Sequence, residues 1–439
     1  MSSKWNSFNR PLLESLIRKT SSGAYGMPVD ENLVFPNPSR GFVLDKGVLY
    51  LERFYTQQKQ LEHLLLKRIS ETTSCIPILG ELDDRLNEGQ KEAVKAIFET
   101  HTLLLQGGPG SGKTFTISRL IPLFYASFEK AMLIKPRILL ASQTAKAVHH
   151  LAKQLPKELI EIIQVETLHK VLHLSKELKA VSPTLIDHDL VIIDECSMID
   201  GAMMNLFLLS LKPTTRVIFV GDPQQLPPIE GGAPFKWMLA SKKIKTCFLE
   251  GSHRAENRHL IDEANALFRG EKPKTQPLDS FKIEDVLPRF FQPTQTKPEP
   301  SFLTKYKILS SLRVGLYGSL ELSNQIFNSL KEQKGRYLLV PIMITQNNDP
   351  MRLYNGQEGV HIFDKKEKEQ LAYFPHLENP IPLALLPPFE ISYAISIHKS
   401  QGSEYEEVDI LLPSSKEPLL TEHLYTAMTR AKKGFRLFA

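Results

Sequence analysis

The 439-residue sequence predicts an α/β protein of two tandem units behind a small N-terminal domain. Three observations carry that expectation. From about Leu86 to Gly270, short apolar runs alternate with Gly-rich turns and periodic helices, the pattern of a parallel sheet with helices on both faces. One of those runs enters a glycine-rich loop from which a helix leaves, in TLLLQGGPGSGKTFTISRL. Residues 271–300 then carry six prolines, too many for a long helix or a central strand, and a second α/β stretch follows.

Taken in order, residues 1–85 read as a separate N-terminal domain. Leu12, Leu13, Leu16 and Ile17 have helical spacing, GVLYLERFY reads as a strand, and TQQKQLEHLLLKRI as an amphipathic helix. Residues 86–270 form the first α/β unit, with strands expected at TLLLQ, RILLAS, LVIID, RVIFVGD and KTCFLE. Residues 271–300 read as a linker, and 301–439 as the second unit. Within it, about 356–389 read as short strands and turns of a small β-barrel insertion.

Composition narrows the function classes. Hydrophobic residues are 42% and charged residues 23%, so the chain has a core to bury and is not disordered as a whole. Lys and Arg exceed Asp and Glu by 54 − 49 = 5, which permits a polyanionic partner without demanding one. Three cysteines (Cys75, Cys196, Cys247) supply neither a disulfide framework nor a four-ligand zinc site. No apolar run approaches the roughly 18–20 residues of a membrane span, and the N-terminus lacks a signal-peptide core. A soluble cytoplasmic protein is expected.

The glycine-rich loop fits G-x-x-x-x-G-K-[ST] through Gly107, Gly108, Pro109, Gly110, Ser111, Gly112, Lys113 and Thr114. Glycines let backbone N–H groups approach phosphate oxygens, and the helix N-terminus adds partial positive charge. Lys113 is expected on the β/γ-phosphates and Thr114 on Mg²⁺. Composition alone would give such a match about once in a hundred chains of this length. LVIIDECSMID ends an apolar strand in Asp194-Glu195, at the ligand-binding edge of a parallel sheet. Asp194 is expected to hold Mg²⁺ and Glu195 to orient and deprotonate the attacking water. RVIFVGDPQQLPPI offers Asp222 and Gln225 at a third strand tip, and LNEGQKEAV places Gln90 where an amide reads adenine. Arg254 in LEGSHR and Arg430 in LYTAMTRAKKG are candidates for the arginine that stabilises phosphoryl-transfer charge, worth about 10³–10⁵ in rate.

Ten segments in order, among them GGPGSGKTFT, LLASQTAKAVHHLA, ETLHKVL, LVIIDECSMID, VIFVGDPQQLPPIEGGA, YAISIHKSQGSEYEEVDILLP and LYTAMTRAKKG, resemble the superfamily-1 helicases of the RecD-like branch over roughly residues 86–439. The resemblance implies two RecA-like P-loop motor domains with ATP and Mg²⁺ bound between them, and an SH3-like character for the β insertion. It implies 5′→3′ movement on single-stranded DNA, in a heterotrimer with RecB-like and RecC-like subunits of the exodeoxyribonuclease V type that serves double-strand-break repair. Arg254 and Arg430 would act on the nucleotide, and Gln401, Gly402 and Glu404 would couple nucleotide to strand. Thr144, Thr167, His169, Asn355, His398 and Ser400 would lie in segments facing DNA. Tyr354, Phe389 and Tyr393 are candidate stacking platforms, against the commoner alternative of core packing, whereas Lys242, Lys243 and Lys245 read as a solvated face.

Departures are local. Ala145 stands where the family has glycine, His253 where it has tyrosine, Cys196 follows Asp-Glu, and the N-terminal domain is short. No nuclease signature is present, so any cutting belongs to another chain. The alternatives are a stand-alone helicase, a catalytically weak structural subunit of a partner nuclease-helicase, and an RNA-directed motor.

Overall fold

The computed structural model describes residues 10–21, 23–29, 41–71, 75–144, 147–148, 151–152, 155–174, 183–250, 258–301, 305–367, 370–414 and 419–439. They form two compact units, one up to residue 253 and one from residue 254.

In the first unit, helix α1 (Arg10–Ser21) and strands β1 (Gly26–Pro28), β2 (Phe42–Asp45) and β3 (Val48–Leu51) precede helix α2 (Glu52–Ser70). Helix α3 (Glu88–Glu99) leads into β4 (Thr102–Gly107), α4 (Lys113–Met132), β5 (Ile138–Ser142), β6 (Ile163–Thr167), β7 (Leu190–Asp194), α5 (Gly201–Ser210), β8 (Arg216–Gly221), α6 (Pro234–Ser241) and β9 (Lys245–Leu249). Strands β4–β9 make one parallel sheet in the order β6-β5-β7-β8-β4-β9. Strands β5, β7 and β8 are buried at every position, which is why their sequences are unbroken apolar runs rather than alternating ones.

Helix starts follow local chemistry. Asn87 and Gln90 close a capping box at α3, and Asp200 accepts from the Met203 N–H at 2.9 Å to open α5. α5 (GAMMNLFLLS) is apolar nearly all round because it lies under α2 as well as against the sheet. Phe54, Leu61 and Leu65 of α2 share a core with Leu104, Val191, Ile193 and Phe219 of the sheet. Arg68 of α2 donates to the carbonyls of Lys212 and Thr215, at 3.2 and 2.5 Å. The N-terminal segment is thus built into the first unit, contrary to the separate domain that its sequence suggests. The strand read at GVLYLERFY ends at Leu51, and Arg53, Phe54 and Tyr55 are helical.

The second unit contains α7 (Arg258–Ala266), β10 (Tyr306–Ser310), α8 (Ser319–Glu332), β11 (Tyr337–Ile344), β12 (Glu358–Asp364), β13 (Leu371–Tyr373), β14 (Ile381–Pro382), β15 (Phe389–Ile391), β16 (Ala394–Ser396), β17 (Tyr405–Leu411), α9 (Thr421–Met428) and β18 (Ala431–Phe438). A parallel sheet runs β16-β10-β17-β18, and an antiparallel one β14-β13-β12-β11-β15. The antiparallel sheet begins at Tyr337, ahead of the stretch 356–389 in which the sequence suggests it. β11 (YLLVPIMI) is buried almost throughout and so reads like one more strand of a parallel core. The proline-rich stretch is not a free linker. Phe281, Val286 and Phe290 are buried in the second unit's core, and Pro277 and Pro288 sit at the start of short helical turns, which tolerate proline there. α7 belongs to this unit too, so the division falls ahead of the boundary read at 270. Among the described residues, no helix is long and apolar enough to cross a membrane.

Leu61 is fully buried, so Leu61→Ala is expected to cost about 2–5 kcal/mol. Deleting residues 1–70 should abolish the first unit's cooperative thermal transition. A truncated chain melting like the full one in calorimetry would show the N-terminal segment to be separable after all.

Candidate functional site

In the first unit, register aligns the strand tips. Ser142 of β5 pairs with both Asp194 of β7 and Thr167 of β6. Gln106 of β4 pairs with Gly221 of β8, so the phosphate loop and Asp222 leave the sheet at the same height. One edge therefore gathers Lys113, Thr114, Asp194, Glu195, Asp222, Gln225, Thr144 and Thr167.

The loop after β4 has a nest's geometry. Gly110 and Gly112 have φ of 75° and 85°, a conformation that side chains resist. A Cβ on Gly107 would lie 2.4 Å from Ser111 Oγ, whose hydroxyl donates to the Gly108 carbonyl at 2.8 Å. Lys113 Nζ donates to the carbonyls of Gly107 (2.6 Å) and Gly108 (2.9 Å), so the ammonium is held over the loop it serves. Thr114 is half-buried on the first turn of α4. Gln90 is fully buried. Its Oε1 accepts from the Asn87 N–H, and its Nε2 lies 3.5 Å from the Ser111 carbonyl, so this amide sits against the loop while capping its own helix.

Asp194 is 8% exposed, and its Oδ1 is buried without a hydrogen-bond partner. Burial, then the neighbouring Glu195 charge, push its carboxyl up to about 7, with Lys113 pulling the other way. Glu195 adopts φ 53°, ψ 41° at the head of a 3-10 turn, a left-handed conformation unusual for a non-glycine residue. A buried carboxylate oxygen without a partner, next to a second carboxylate, is chemistry suited to a hard divalent cation such as Mg²⁺. Cys196 donates its thiol to the Ile193 carbonyl at 3.2 Å and packs in the core. Gln225 is buried, with its Nε2 at 3.4 Å from Asp222 Oδ2 and its Oε1 unpaired.

Nothing in the local sequence signals what holds the Gln225 segment. A Cβ on Gly231 would fall 2.6 Å from the Phe54 ring, and one on Gly232 would fall 2.9 Å from Tyr25. The Ala233 N–H donates to Gly23 at 2.8 Å. The N-terminal segment thus clasps the loop that follows Gln225, a contact spanning some 180–210 residues of sequence.

Among residues expected to face DNA, Thr144 and Thr167 use their hydroxyls as local caps, accepting from Ala147 N (3.2 Å) and Lys170 N (3.4 Å). His169 is exposed one turn on. Ala145, His253 and Arg254 lie outside the described residues. Lys243 and Lys245 pair with Glu62 and Glu92 at 2.8 and 2.6 Å, as on a solvated face.

In the second unit, Asn355 is exposed on the turn before β12. His398 packs edge-on against His423 at 5.2 Å, and burial holds its imidazole below the usual value. Ser400 is fully buried and donates to Ile397 O at 2.6 Å, so its hydroxyl faces inward. Tyr393 is core, edge-to-face with Phe290, while Tyr354 and Phe389 are half-buried. Gly402 has φ 71° with open space around it, Glu404 pairs with Lys432 at 3.1 Å, and Gln401 Nε2 is buried and unpaired. Arg430 is 4% exposed. Its guanidinium donates to Thr426 O (2.9 Å), Ser403 O (3.2 Å) and Thr429 Oγ1 (3.2 Å), tying the segment after Gly402 to the end of α9.

A parallel sheet carrying a phosphate loop, an Asp-Glu tip and a third polar tip defines a P-loop ATPase. The AAA domain family profile matches residues 85–284, and the UvrD-like helicase C-terminal domain profile matches residues 392–438. The chain resembles the RecD-like superfamily-1 helicases and is an ATP-hydrolysing DNA helicase. It is 29% identical to the RecBCD enzyme subunit RecD of Mycolicibacterium smegmatis, over 89% of this chain and 78% of that one. It is 26% identical to the ATP-dependent RecD2 DNA helicase of Deinococcus radiodurans, over 80% of this chain and 48% of that one. In fold it matches the Pif1 helicase of Candida albicans (TM-score 0.50, 16% identity, 80% of this chain and 94% of that one). It also matches Bacteroides Pif1 in complex with ADP-AlF3 and ssDNA (0.50, 17%, 81% and 93%).

Lys113→Ala is expected to abolish ATP hydrolysis. Asp194→Asn should do the same while raising the melting temperature of the nucleotide-free chain by about 2–4 °C, because it removes an uncompensated buried charge. A calorimetric scan showing Asp194→Asn destabilised would mean that the carboxylate is internally satisfied.

Proposed function

We propose that this ATP-dependent DNA helicase moves 5′→3′ along single-stranded DNA, as the RecD-like subunit of an exodeoxyribonuclease V assembly with RecB-like and RecC-like partners in cytoplasmic double-strand-break repair. The observation that carries the reading is the shared sheet edge: Lys113, Asp194, Glu195 and Gln225 lie at the same edge of the sheet as Thr144 and Thr167, each at the tip of its own strand. A change in nucleotide state at that edge is transmitted through rigid strands to residues placed to hold a sugar-phosphate backbone.

In this reading the loop amides of Gly108–Gly112 and Lys113 hold the β- and γ-phosphates, and Gln90 borders the base. Thr114 and Asp194 would hold Mg²⁺, which would supply positive charge to neutralise the phosphates. Glu195 takes a proton from the water that attacks the γ-phosphorus, ADP leaves, and Gln225 exchanges its hydrogen bond as the γ-phosphate departs. Arg254 and Arg430 supply transition-state charge, and Arg430 must trade its carbonyl partners to do so. Asn355 and His398 act from the second unit on the strand. The names carried by relatives at 25–29% identity over about nine-tenths of this chain support the subunit role. The relative named ATP-dependent RecD2 DNA helicase supports the helicase activity itself.

ATP turnover should rise at least about tenfold on adding single-stranded DNA. DNA affinity should fall steeply with salt, as backbone contacts require. Strand displacement should need a 5′ overhang, with or without co-purified partners. Turnover indifferent to DNA, or unwinding only from 3′ overhangs, would overturn the reading. Arg430→Ala should lose turnover by about 10³-fold or more, keep ATP binding, and lower the melting temperature because Ser403 and Thr426 lose a buried donor. Full turnover in Arg430→Ala would remove Arg430 from the reaction.

A further inference from the structure

Lys307, Glu358 and Tyr405 form a buried cluster in the second unit that the proposed chemistry does not use. Lys307 is 1% exposed on β10, with Nζ 3.1 Å from Glu358 Oε2 and 2.8 Å from the Ser392 carbonyl. The same ammonium lies 5.3 Å from the centroid of the Tyr405 ring. The Tyr405 hydroxyl, buried at 2% residue exposure, donates to Glu358 Oε1 at 2.6 Å. The carboxylate is therefore shared between two strands of the parallel sheet while itself being the first residue of β12 in the antiparallel sheet.

Both ends of this contact lead to proposed working segments. Glu358 is three residues from Asn355, on a turn pinned to β11 by Gly356 N→Ile344 O (2.9 Å) and Ile344 N→Gln357 O (2.9 Å). Tyr405 is one residue from Glu404, its N–H donates to the Arg430 carbonyl at 2.9 Å, and Arg430 holds Ser403. Between Tyr405 and Glu407 the pairing of β17 with β18 shifts register. Such an irregularity locally interrupts the ladder and bends the strand, here at Tyr405 itself.

We infer that the Tyr405–Glu358 hydrogen bond is the link by which strand binding at the Asn355 turn is felt at the Gly402–Glu404 and Arg430 segment, with Tyr405 and Glu358 as positioning residues. The inference rests on the translocase reading above. The bond is directional and buried, and Lys307 Nζ lies 3.1 Å from the other oxygen of the same carboxylate. Burial, and next the Glu358 charge, hold the phenol well above its usual pKa, so it stays a donor throughout the physiological range.

Tyr405→Phe removes one oxygen and keeps the ring. The test measures ATP turnover with and without single-stranded DNA, together with base pairs unwound per ATP, in the full chain. Tyr405→Phe should keep DNA-free turnover within about twofold of the parent, lose at least about fivefold of the DNA stimulation, and unwind fewer base pairs per ATP. Glu358→Gln, which keeps an acceptor but drops the charge, should lose less. The double variant should be no worse than Tyr405→Phe, as expected of two residues acting through one bond. Full stimulation in either folded single variant, or additive losses in the double, overturns the inference. A purely structural role would lower DNA-free turnover in parallel, which also overturns it. A parent chain without DNA stimulation would instead sink the translocase reading, so the two failures are distinct.

Discussion

A strand buried on both faces has only its tip to give to chemistry. That constraint organises the first unit. β5, β7 and β8 carry apolar side chains throughout because helices cover both sides of the sheet, so polar groups are admitted where each strand ends. Parallel pairing puts those ends at one edge, and register sets their heights: Ser142, Asp194 and Thr167 share one level, Gln106 and Gly221 another. In these three central strands the polar residues fall only at the ends, so the proposed nucleotide and DNA contacts would meet at one edge without a special device.

The same edge is where local rules are broken. Asp194 leaves an oxygen unpaired, Glu195 takes a left-handed backbone, and Gln225 keeps an unsatisfied carbonyl oxygen. Each costs stability in a chain without nucleotide. Unpaired buried polar atoms occur elsewhere in both units as well, so it is the meeting of these three with the glycine-rich loop at one sheet edge that supports the proposed site. The second unit repeats the pattern more sparingly, with Gln401 Nε2 unpaired beside the open, left-handed Gly402.

The phosphate loop and the Asp-Glu tip are legible in the sequence because their signal is local: glycine spacing in one case, an apolar run ending in acid in the other. The N-terminal segment is not, since Phe54 and Tyr25 earn their place by meeting Gly231 and Gly232 far along the chain. Prolines at 271–300 suggest a linker because proline excludes regular structure, yet they say nothing about Phe281, Val286 and Phe290, which fasten the stretch to a core. Ser400 lies in a helicase-like segment, but its hydroxyl is spent on its own turn. Segment-level resemblance thus locates a working region without settling which side chain in it points outward.

Arg430 shows why a buried arginine and a working arginine are not contradictory. Its three hydrogen bonds go to Thr426 O, Ser403 O and Thr429 Oγ1, with no carboxylate among them. A carboxylate would neutralise the guanidinium and raise the cost of releasing it to a phosphoryl oxygen. Neutral carbonyls hold the group in place while leaving its charge uncompensated, so exchanging one of them for a phosphate oxygen gains Coulomb energy rather than giving it up. One of those carbonyls belongs to Ser403, so in the proposed role the exchange would free the segment between Gly402 and Tyr405 and tie hydrolysis to segment movement through one hydrogen bond.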